Sequence, residues 1–486
     1  MQFKNRKYLA IIKVIKISFI RMIFVIKELS IEGFRGFGKK QTIEFAIPNG
    51  EKPGSGLSII IGANNSGKTT VIEAIKLFNQ RHGEVFFSEG RRNKRTNERV
   101  SITLTDENNK NHSVKTIETG GAATRITDFS GLSFDVVPSR RAFQIYFHET
   151  NLDKEGYIHT SHTLEKTRGS ELINYGARIV EANKNKVSFN SLIHRILGNT
   201  FDWEVELSDD GRSYIKYIDE DLSYSGEGIG DGIWSVFTIC VALFDSKTSD
   251  TIVIDEPELS VHPSVQKKLM QLFIEYSKDR QIIICTHSPY YVNWGAIANG
   301  ASLIRISKEK GNSICCSIGN DFRNFTKGLL HDLHNPHVLG ITATEALFIE
   351  DNIVLVEGQE DVVIYTNILK SLDIELGGVF FGWGAGGEPK MEGFLGLFHE
   401  LGYKKVAVIY DGDKKLEMRK AQERYPEYCF CIIPEEDIRD KESRRTRPKK
   451  GIVDVHWKLK NEYVESTKTM FEKISNYFTS MDCENV

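Results

Sequence analysis

Two sets of residues in this chain of 486 have the types and spacing of reactive sites. The first opens with Gly62-Ala-Asn-Asn-Ser-Gly67-Lys68-Thr69, a complete G-x-x-x-x-G-K-[ST] run. Gly62 and Gly67 let backbone N–H groups turn inward on phosphates. Lys68 reaches the β- and γ-phosphates, and the Thr69 hydroxyl faces Mg²⁺. Asn65, Ser66 and Thr70 share this turn and count with the ATP-binding residues. Further on, Thr251-Ile-Val-Ile-Asp255-Glu256-Pro-Glu258 sets two adjacent carboxylates after an apolar run. Asp255 suits Mg²⁺ binding through water, and Glu256 suits polarising the water that attacks phosphorus. Glu258 reads as a loop residue. His287 lies near the end of QIIICTHSP (281–289), placed to contact the γ-phosphate.

The second set is made of carboxylates. Glu357 ends NIVLVEG (352–358), Asp361 follows four residues later, and Asp411 and Asp413 form Asp-Gly-Asp after KVAVIY (405–410). Four converging carboxylates repel, so protons or cations must fill the gap between them. Hard oxygen ligands suit Mg²⁺ or Mn²⁺, and a pair of such ions activates water and stabilises a leaving oxygen in phosphodiester cleavage. His331, His334 and His337 have a ligand-like spacing, but Pro336 disfavours the helix that would align them, so they read as a surface loop.

The elements that hold these residues can be read from patterning. LSIII (57–61) is an apolar run of the kind buried on both faces of a parallel sheet, and TVIEAIKLF (70–78) is an amphipathic helix that aims its positive end at the phosphates. From 352 to 433, apolar strands alternate with helical stretches, predicting a small doubly wound sheet with ligands at the carboxyl ends of its strands. Between Lys68 and Asp255 there is no long heptad run. That interval instead holds EGRRNKRTNERV (89–100), where Arg91, Arg92, Lys94, Arg95 and Arg99 suit either phosphate-backbone contacts or a solvated turn, and the alternating VSITLTD (100–106). A second basic segment, ESRRTRPKKG (442–451), lies close to the carboxylate set and suits steering of an anionic substrate.

Composition limits the possibilities. Lys+Arg number 63 against 66 Asp+Glu, a net charge of −3, so any nucleic-acid contact comes from local patches. Apolar residues are 40% and charged residues 27%, as in a globular protein. The seven cysteines include no C-x-x-C pair, which points to a reducing cytoplasm. Lys13, Lys16 and Arg21 interrupt the apolar stretch 8–26, so neither a membrane span nor a signal peptide is expected.

The phosphate loop, the Ser/Gly turn at Ser225-Gly226 before the apolar run 233–243, the Asp255-Glu256 strand and the His287 strand occur in that order. Together they resemble the ABC-type ATPase head of the SMC, RecF and OLD proteins. The resemblance implies that Arg35 in GFRGF lies near the nucleotide and that Gln144 is the candidate Q-loop glutamine. It also implies a homodimer in which Ser225 and Gly226 of one subunit close over the ATP of the other, with higher oligomers open. E-x-x-x-D followed by D-x-D resembles the Toprim fold of topoisomerases, primases and OLD nucleases. The two in succession resemble the OLD family of ATP-dependent nucleases, which includes the Gabija A subunit and retron-associated effectors. The expected fold class is therefore α/β, an ABC-type P-loop ATPase head followed by a Toprim domain. Residues 1–21 read as an extension, 22–345 as the head with an inserted β-rich and helical lobe at about 85–220, and 346–486 as the Toprim domain. The resemblance further implies an additional acid, for which Glu435, Glu436 and Asp437 are candidates with Glu436 foremost, and a basic catalytic residue at Lys449 or Lys450, Lys450 foremost. What it implies in function is a cytoplasmic, ATP-gated, metal-dependent endonuclease acting on DNA, RNA remaining open, in anti-phage defence. The alternatives are a RecF-like sensing ATPase with a scaffold Toprim part, or an effector held inactive by a partner protein or RT–DNA complex.

Overall fold

The computed structural model describes residues 25–480 apart from 80–84, 86, 97–98, 117–123, 127–131, 141–145, 148–152, 161–171, 173–174, 200, 220–221, 226–228, 332–337, 350–351 and 442–447. Along the chain, β1 (Ile26–Glu32) and β2 (Gln41–Glu44) form a hairpin-like pair, and β3 (Leu57–Ile61) leads to the helix Lys68–Lys76. Then β4 (Ser101–Asp106), β5 (Asn111–Thr116) and β6 (Thr124–Ile126) return to the first pair, completing a five-stranded antiparallel sheet in the order β2-β1-β4-β5-β6. Strict alternation in β4, with Ile102 and Leu104 inward, gives this sheet one apolar face. That face packs on Val71, Ile75 and Phe78 and on the core sheet through Ile60, Val253 and Ile283, so the phosphate-loop helix is enclosed between two sheets.

The core sheet contains β3, β7 (Asp135–Val137), β12 (Thr251–Asp255), β13 (Gln281–Cys285), β14 (Ser302–Glu309) and β15 (Asn312–Ser317), in the order β15-β14-β3-β13-β12-β7. Every pairing is parallel except β14 with β15. All residues of β3, β12 and β13 are buried, as a sheet covered on both faces requires. One strand, β13, separates the phosphate-loop strand from the Asp255-Glu256 strand. The mixed α/β ATPase fold is the one expected.

The single lobe expected at about 85–220 is divided. Residues of β4, β5 and β6 pair back onto β1, and β7 extends the core sheet, because their apolar faces are buried only there. What stands apart is β8 (Tyr146–Phe147), β9 (Asp202–Leu207), β10 (Ser213–Asp219) and β11 (Leu222–Ser225), with the helices Gly176–Lys184 and Lys186–Leu197. A buried charge cluster fixes this part to the core. Arg178 donates to both oxygens of Asp135 at 2.9 and 2.7 Å and to both of Asp245 at 2.9 and 2.7 Å, with Lys154 3.2 Å from Asp245. The two carboxylates raise the Arg178 pKa against the effect of burial. Replacing Arg178 with Met leaves these acids with Lys154 alone to offset them, so urea unfolding is expected to show a loss of about 3–5 kcal/mol.

The second α/β unit is built on β16 (Asn352–Leu355), β17 (Val379–Phe380), β18 (Lys405–Tyr410) and β19 (Cys429–Ile432), all parallel in the order β17-β16-β18-β19. A short parallel pair, β20 (Asp437–Arg439) and β21 (Gly451–Val453), follows. The expected break between 345 and 346 falls inside the helix Ile341–Ile349. That helix is held from both sides: Trp294 Nε1 donates to Thr344 Oγ1 at 3.1 Å, and the Tyr403 hydroxyl donates to the Leu347 carbonyl at 2.9 Å. One apolar cluster runs from Ile59 through Trp294 and Leu347 to Phe398 and Phe430. No helix among the described residues is long and apolar enough to cross a membrane.

Candidate functional site

The phosphate loop leaves β3 at Ile61. Gly62 has φ 151°, and a Cβ there would lie 2.1 Å from the Ile306 carbonyl oxygen, so only glycine lets the loop rest against β14. Ser313 of β15 donates its hydroxyl to the Ser66 carbonyl at 2.5 Å, and Asn65 sits at the exposed tip with φ 62°. Gly67 and Thr69 are half-buried and Thr70 is buried at the helix start. Lys68, itself buried, donates to the carbonyls of Gly62 and Ala63 at 2.8 and 3.0 Å, which holds its ammonium inside the loop. Burial lowers its pKa, opposed by the charges of Glu256, Asp255 and Glu258.

Asp255 is buried at the end of β12, opposite Cys285 of β13. The next residue, Glu256, turns into the left-handed region at φ 47°, and its N–H donates to the Cys285 carbonyl at 2.8 Å. That conformation is costly for a residue with a side chain and persists where surroundings enforce it. It leaves the carboxylate one-third exposed, 4.0 Å from His287 Nε2. Burial and the Lys68 charge lower the His287 pKa, so the imidazole is neutral near pH 7.

Glu258 is more than the loop residue expected. Its carboxylate accepts the Thr286 hydroxyl at 2.8 Å and the His287 N–H at 2.5 Å, joining the turns after β12 and β13 and fixing His287 beside Glu256. Arg35 stands against the phosphate-loop helix. With φ 49°, it pairs with Glu73 at 2.9 Å, bracing the outer face of the phosphate-loop helix. Ser225 ends β11, half-buried, whereas Gly226, Gln144, His334 and His337 lie outside the described residues. Residues 89–96 of the basic stretch are tied down at two points, where Arg95 donates to the Lys310 carbonyl at 3.1 Å and the Arg91 carbonyl accepts the Arg35 N–H at 2.8 Å, while Lys94 pairs with Glu89 within the stretch at 3.2 Å.

In the second unit, Glu357 and Asp411 follow the carboxyl ends of neighbouring strands β16 and β18, at the point where strand order reverses. Asp361 caps its helix by accepting the Gly358 N–H at 2.8 Å. Burial, then the charges of Glu357 and Asp437, raise Asp361 to about 7. Burial, then Asp361, Asp437 and Glu357, raise Asp411 to about 8. Asp413 stands at the rim, paired with Lys449 at 2.6 Å. The further acid drawn into this group is buried Asp437 of β20, not Glu436, because β20 lies across the helix that carries Asp361. Glu435 instead accepts the Tyr463 hydroxyl. Lys450 is exposed and meets Asp437 only through its carbonyl, which accepts the Asp437 N–H at 3.2 Å. The ammonium that enters the group belongs to Lys441, 2.7 Å from Asp437 and 3.7 Å from Glu360. Nothing but its basic character marked Lys441 in the sequence. All the donors are hard oxygens, which fits Mg²⁺ or Mn²⁺; among the described residues, no three acidic, His or Cys side chains stand at the spacing of an assembled metal site.

Comparison with known proteins follows the same division. Residues 25–165 match the family model "AAA ATPase domain", and residues 150–293 match "AAA domain, putative AbiEii toxin, Type IV TA system". Both models describe AAA-type domains, and each matches less than a third of the chain. It is 28% identical over 171 residues to the OLD nuclease of Thermus scotoductus, covering 33% of this chain and 31% of that protein. It is 28% identical over 137 residues to the Old nuclease of Escherichia phage P2, covering 28% of this chain and 22% of that one. The chain thus matches under a third of each relative's length. Solved structures with a similar outline are the SMC head domain from Thermotoga maritima (17% identity, TM-score 0.37, 60% of this chain and 99% of that) and the Pyrococcus furiosus Smc head domain bound to the C-terminal domain of ScpA (14%, 0.38, 64% and 100%). The sequence matches support an ATPase related to the OLD nucleases.

Proposed function

We propose that this chain is an ATP-controlled, metal-dependent nuclease of the OLD kind, in which the β16–β19 unit is a Toprim nuclease domain acting on DNA. The observation that carries the reading is the grouping of half-buried Glu357 and Asp411 with buried Asp361 and Asp437 at a strand-order reversal, where burial first, and then neighbouring carboxylates, raise the pKa of Glu357, Asp361 and Asp411. Mg²⁺ or Mn²⁺ would be held by Glu357, Asp361 and Asp411 with Asp437 behind, and supplies activation of water and charge stabilisation at the phosphodiester. Around it, this chain's own residues have separate tasks. Lys441 holds Asp437 and offsets the negative charge; Lys449 and Asp413 form the rim that a phosphate backbone would meet. At the ATPase site, Lys68 and Thr69 bind phosphate and Mg²⁺, Glu256 orients water, and His287, held by Glu258, contacts the γ-phosphate. Two heads would pair with Ser225 and Gly226 reaching the partner's nucleotide, and a cytoplasmic role in defence against phage fits the OLD resemblance.

The test is incubation of the purified chain with supercoiled plasmid and Mn²⁺, with and without ATP. Wild type is expected to cut and Asp411→Ala to lose cutting by at least about 10³-fold, the scale of losing a catalytic ion's effect. Equal, intact DNA and RNA from both proteins would sink the reading and favour a sensing ATPase. Cutting that appears only after a co-purifying protein or nucleic acid is removed would favour an effector held in a complex.

A further inference from the structure

We infer that Arg305 is a positioning residue that ties the phosphate loop to the carboxylate group, through the helix Glu388–Glu400 acting as a strut. The inference rests on the proposed nuclease reading only for what the far end of the strut controls.

At the near end, β14 runs beside β3 with Arg305 opposite Ile61, the residue before the phosphate loop. The Ile306 carbonyl is the surface against which Gly62 rests, and Ser313, on the paired strand β15, holds the Ser66 carbonyl. This hairpin therefore forms the back wall of the loop. The Arg305 side chain is buried and extends to the other unit. Its Nη1 donates to the carbonyls of Leu401 and Gly402 at 3.3 Å each, and its guanidinium carbon lies 4.0 Å from the centre of the Tyr403 ring. Those carbonyls belong to the C-terminus of the helix Glu388–Glu400, where backbone acceptors lack helical partners and the dipole favours a cation. Two more contacts fasten the same end. Cys316, opposite Arg305 in the hairpin, lies 2.7 Å from where a Gly402 Cβ would be, and the Gly319 N–H donates to Glu400 Oε2 at 2.8 Å.

At the far end, the Gly387 N–H donates to the Glu357 carbonyl at 2.9 Å, and the Glu388 N–H bonds the Glu357 carboxylate. The helix thus fixes both the backbone and the side chain of one candidate ligand. Its 13 residues span about 20 Å at ~1.5 Å each. Met391, Phe394, Leu395, Leu397 and Phe398 are fully buried along it, and close-packed interiors pass on displacement rather than absorbing it. A nucleotide that shifts the phosphate loop against β14 therefore moves a helix whose other end sets Glu357.

Hydrogen–deuterium exchange on the full chain, with and without Mg²⁺ and a non-hydrolysable ATP analogue, reads this coupling. In wild type, exchange is expected to change in the phosphate loop and, by about fivefold, in 357–362 and 386–403. In Arg305→Met the phosphate-loop change should persist while the distant change disappears, and Arg305→Lys, which keeps the charge, should restore part of it. A role as a mere inter-unit staple would lower stability in both variants yet leave the nucleotide-linked change intact. An unchanged distant response in Arg305→Met, or no distant response in nucleotide-saturated wild type, overturns the inference. Should Arg305→Met fail to fold, Arg305→Lys carries the test alone, with loss of half or more of the distant response expected and a full response contradicting it. DNA cutting is not read in this experiment, so a chain that cuts nothing would sink the nuclease reading and leave the coupling standing.

Discussion

Glu256→Gln is expected to bind ATP as well as wild type and to hydrolyse it about 10²–10⁴-fold more slowly, the range for removing a group that handles the proton of the attacking water. The geometry separates binding from chemistry. Lys68 and the loop amides proposed to hold phosphate come from the β3 side, whereas Glu256 lies two strands away beyond β13. Asp255, the acid proposed to face Mg²⁺, is unchanged by the substitution. Glutamine keeps the size of the side chain, the N–H bond to Cys285 and the left-handed backbone, so loss of turnover cannot be assigned to collapse of the site. Phosphate release at saturating ATP, paired with titration of a fluorescent ATP analogue, separates the two. Wild-type turnover in the variant would remove Glu256 from the chemistry and leave His287, 4.0 Å away, as the group to test.

The second expectation concerns Asp411→Asn. Asp411 at about 8 and Asp361 at about 7 lie above the ordinary carboxylate range. Well below about pH 4, both are protonated in the folded and the unfolded chain. As pH rises, the unfolded chain gives up these protons first, so their contribution to stability falls steadily until the pH passes about 8. Without divalent cation, wild type should therefore be less stable at about pH 8 than at about pH 6. Asp411→Asn removes one charge from the group and should be more stable than wild type at the higher pH, by on the order of 2–4 kcal/mol in urea unfolding. Millimolar Mn²⁺ should largely close this gap. An ion at about a hundred times its dissociation constant adds roughly 2.7 kcal/mol to wild type, and the variant should gain little. A wild-type stability insensitive to both pH and Mn²⁺ would contradict the proposed metal site.

Much of this was legible because the informative residues sit where strand, turn and helix meet. The runs LSIII and TIVID are buried on both faces and read as core strands from composition alone, and each ends at its reactive residues. The two-strand offset between them was not legible, since pairing order depends on contacts far apart in sequence. The lobe was misjudged for a similar reason: β4 alternates like any half-buried strand, and nothing local says that its partner is β1. Among site residues, Glu357, Asp361 and Asp411 follow strands and were readable. Asp437 and Lys441 were less so, because a strand of three residues has too little pattern to reveal its register. Glu258 and Arg305 act by bonding backbone groups 29 and 96 residues away, and such partners leave no mark on local spacing.

The helix Ile341–Ile349 has a consequence for how such chains are inherited. Two α/β units usually suggest a gene that can be cut and rejoined at the seam. Here that seam is a helix with one buried face, gripped by Trp294 on one side and Tyr403 on the other. A crossover at its midpoint would bring together halves fitted to different neighbours and leave apolar faces mismatched on both. Recombination that preserves folding must carry residues 294–403 as one block, so the ATPase and the unit after it should share ancestry within each lineage rather than be exchanged piecemeal.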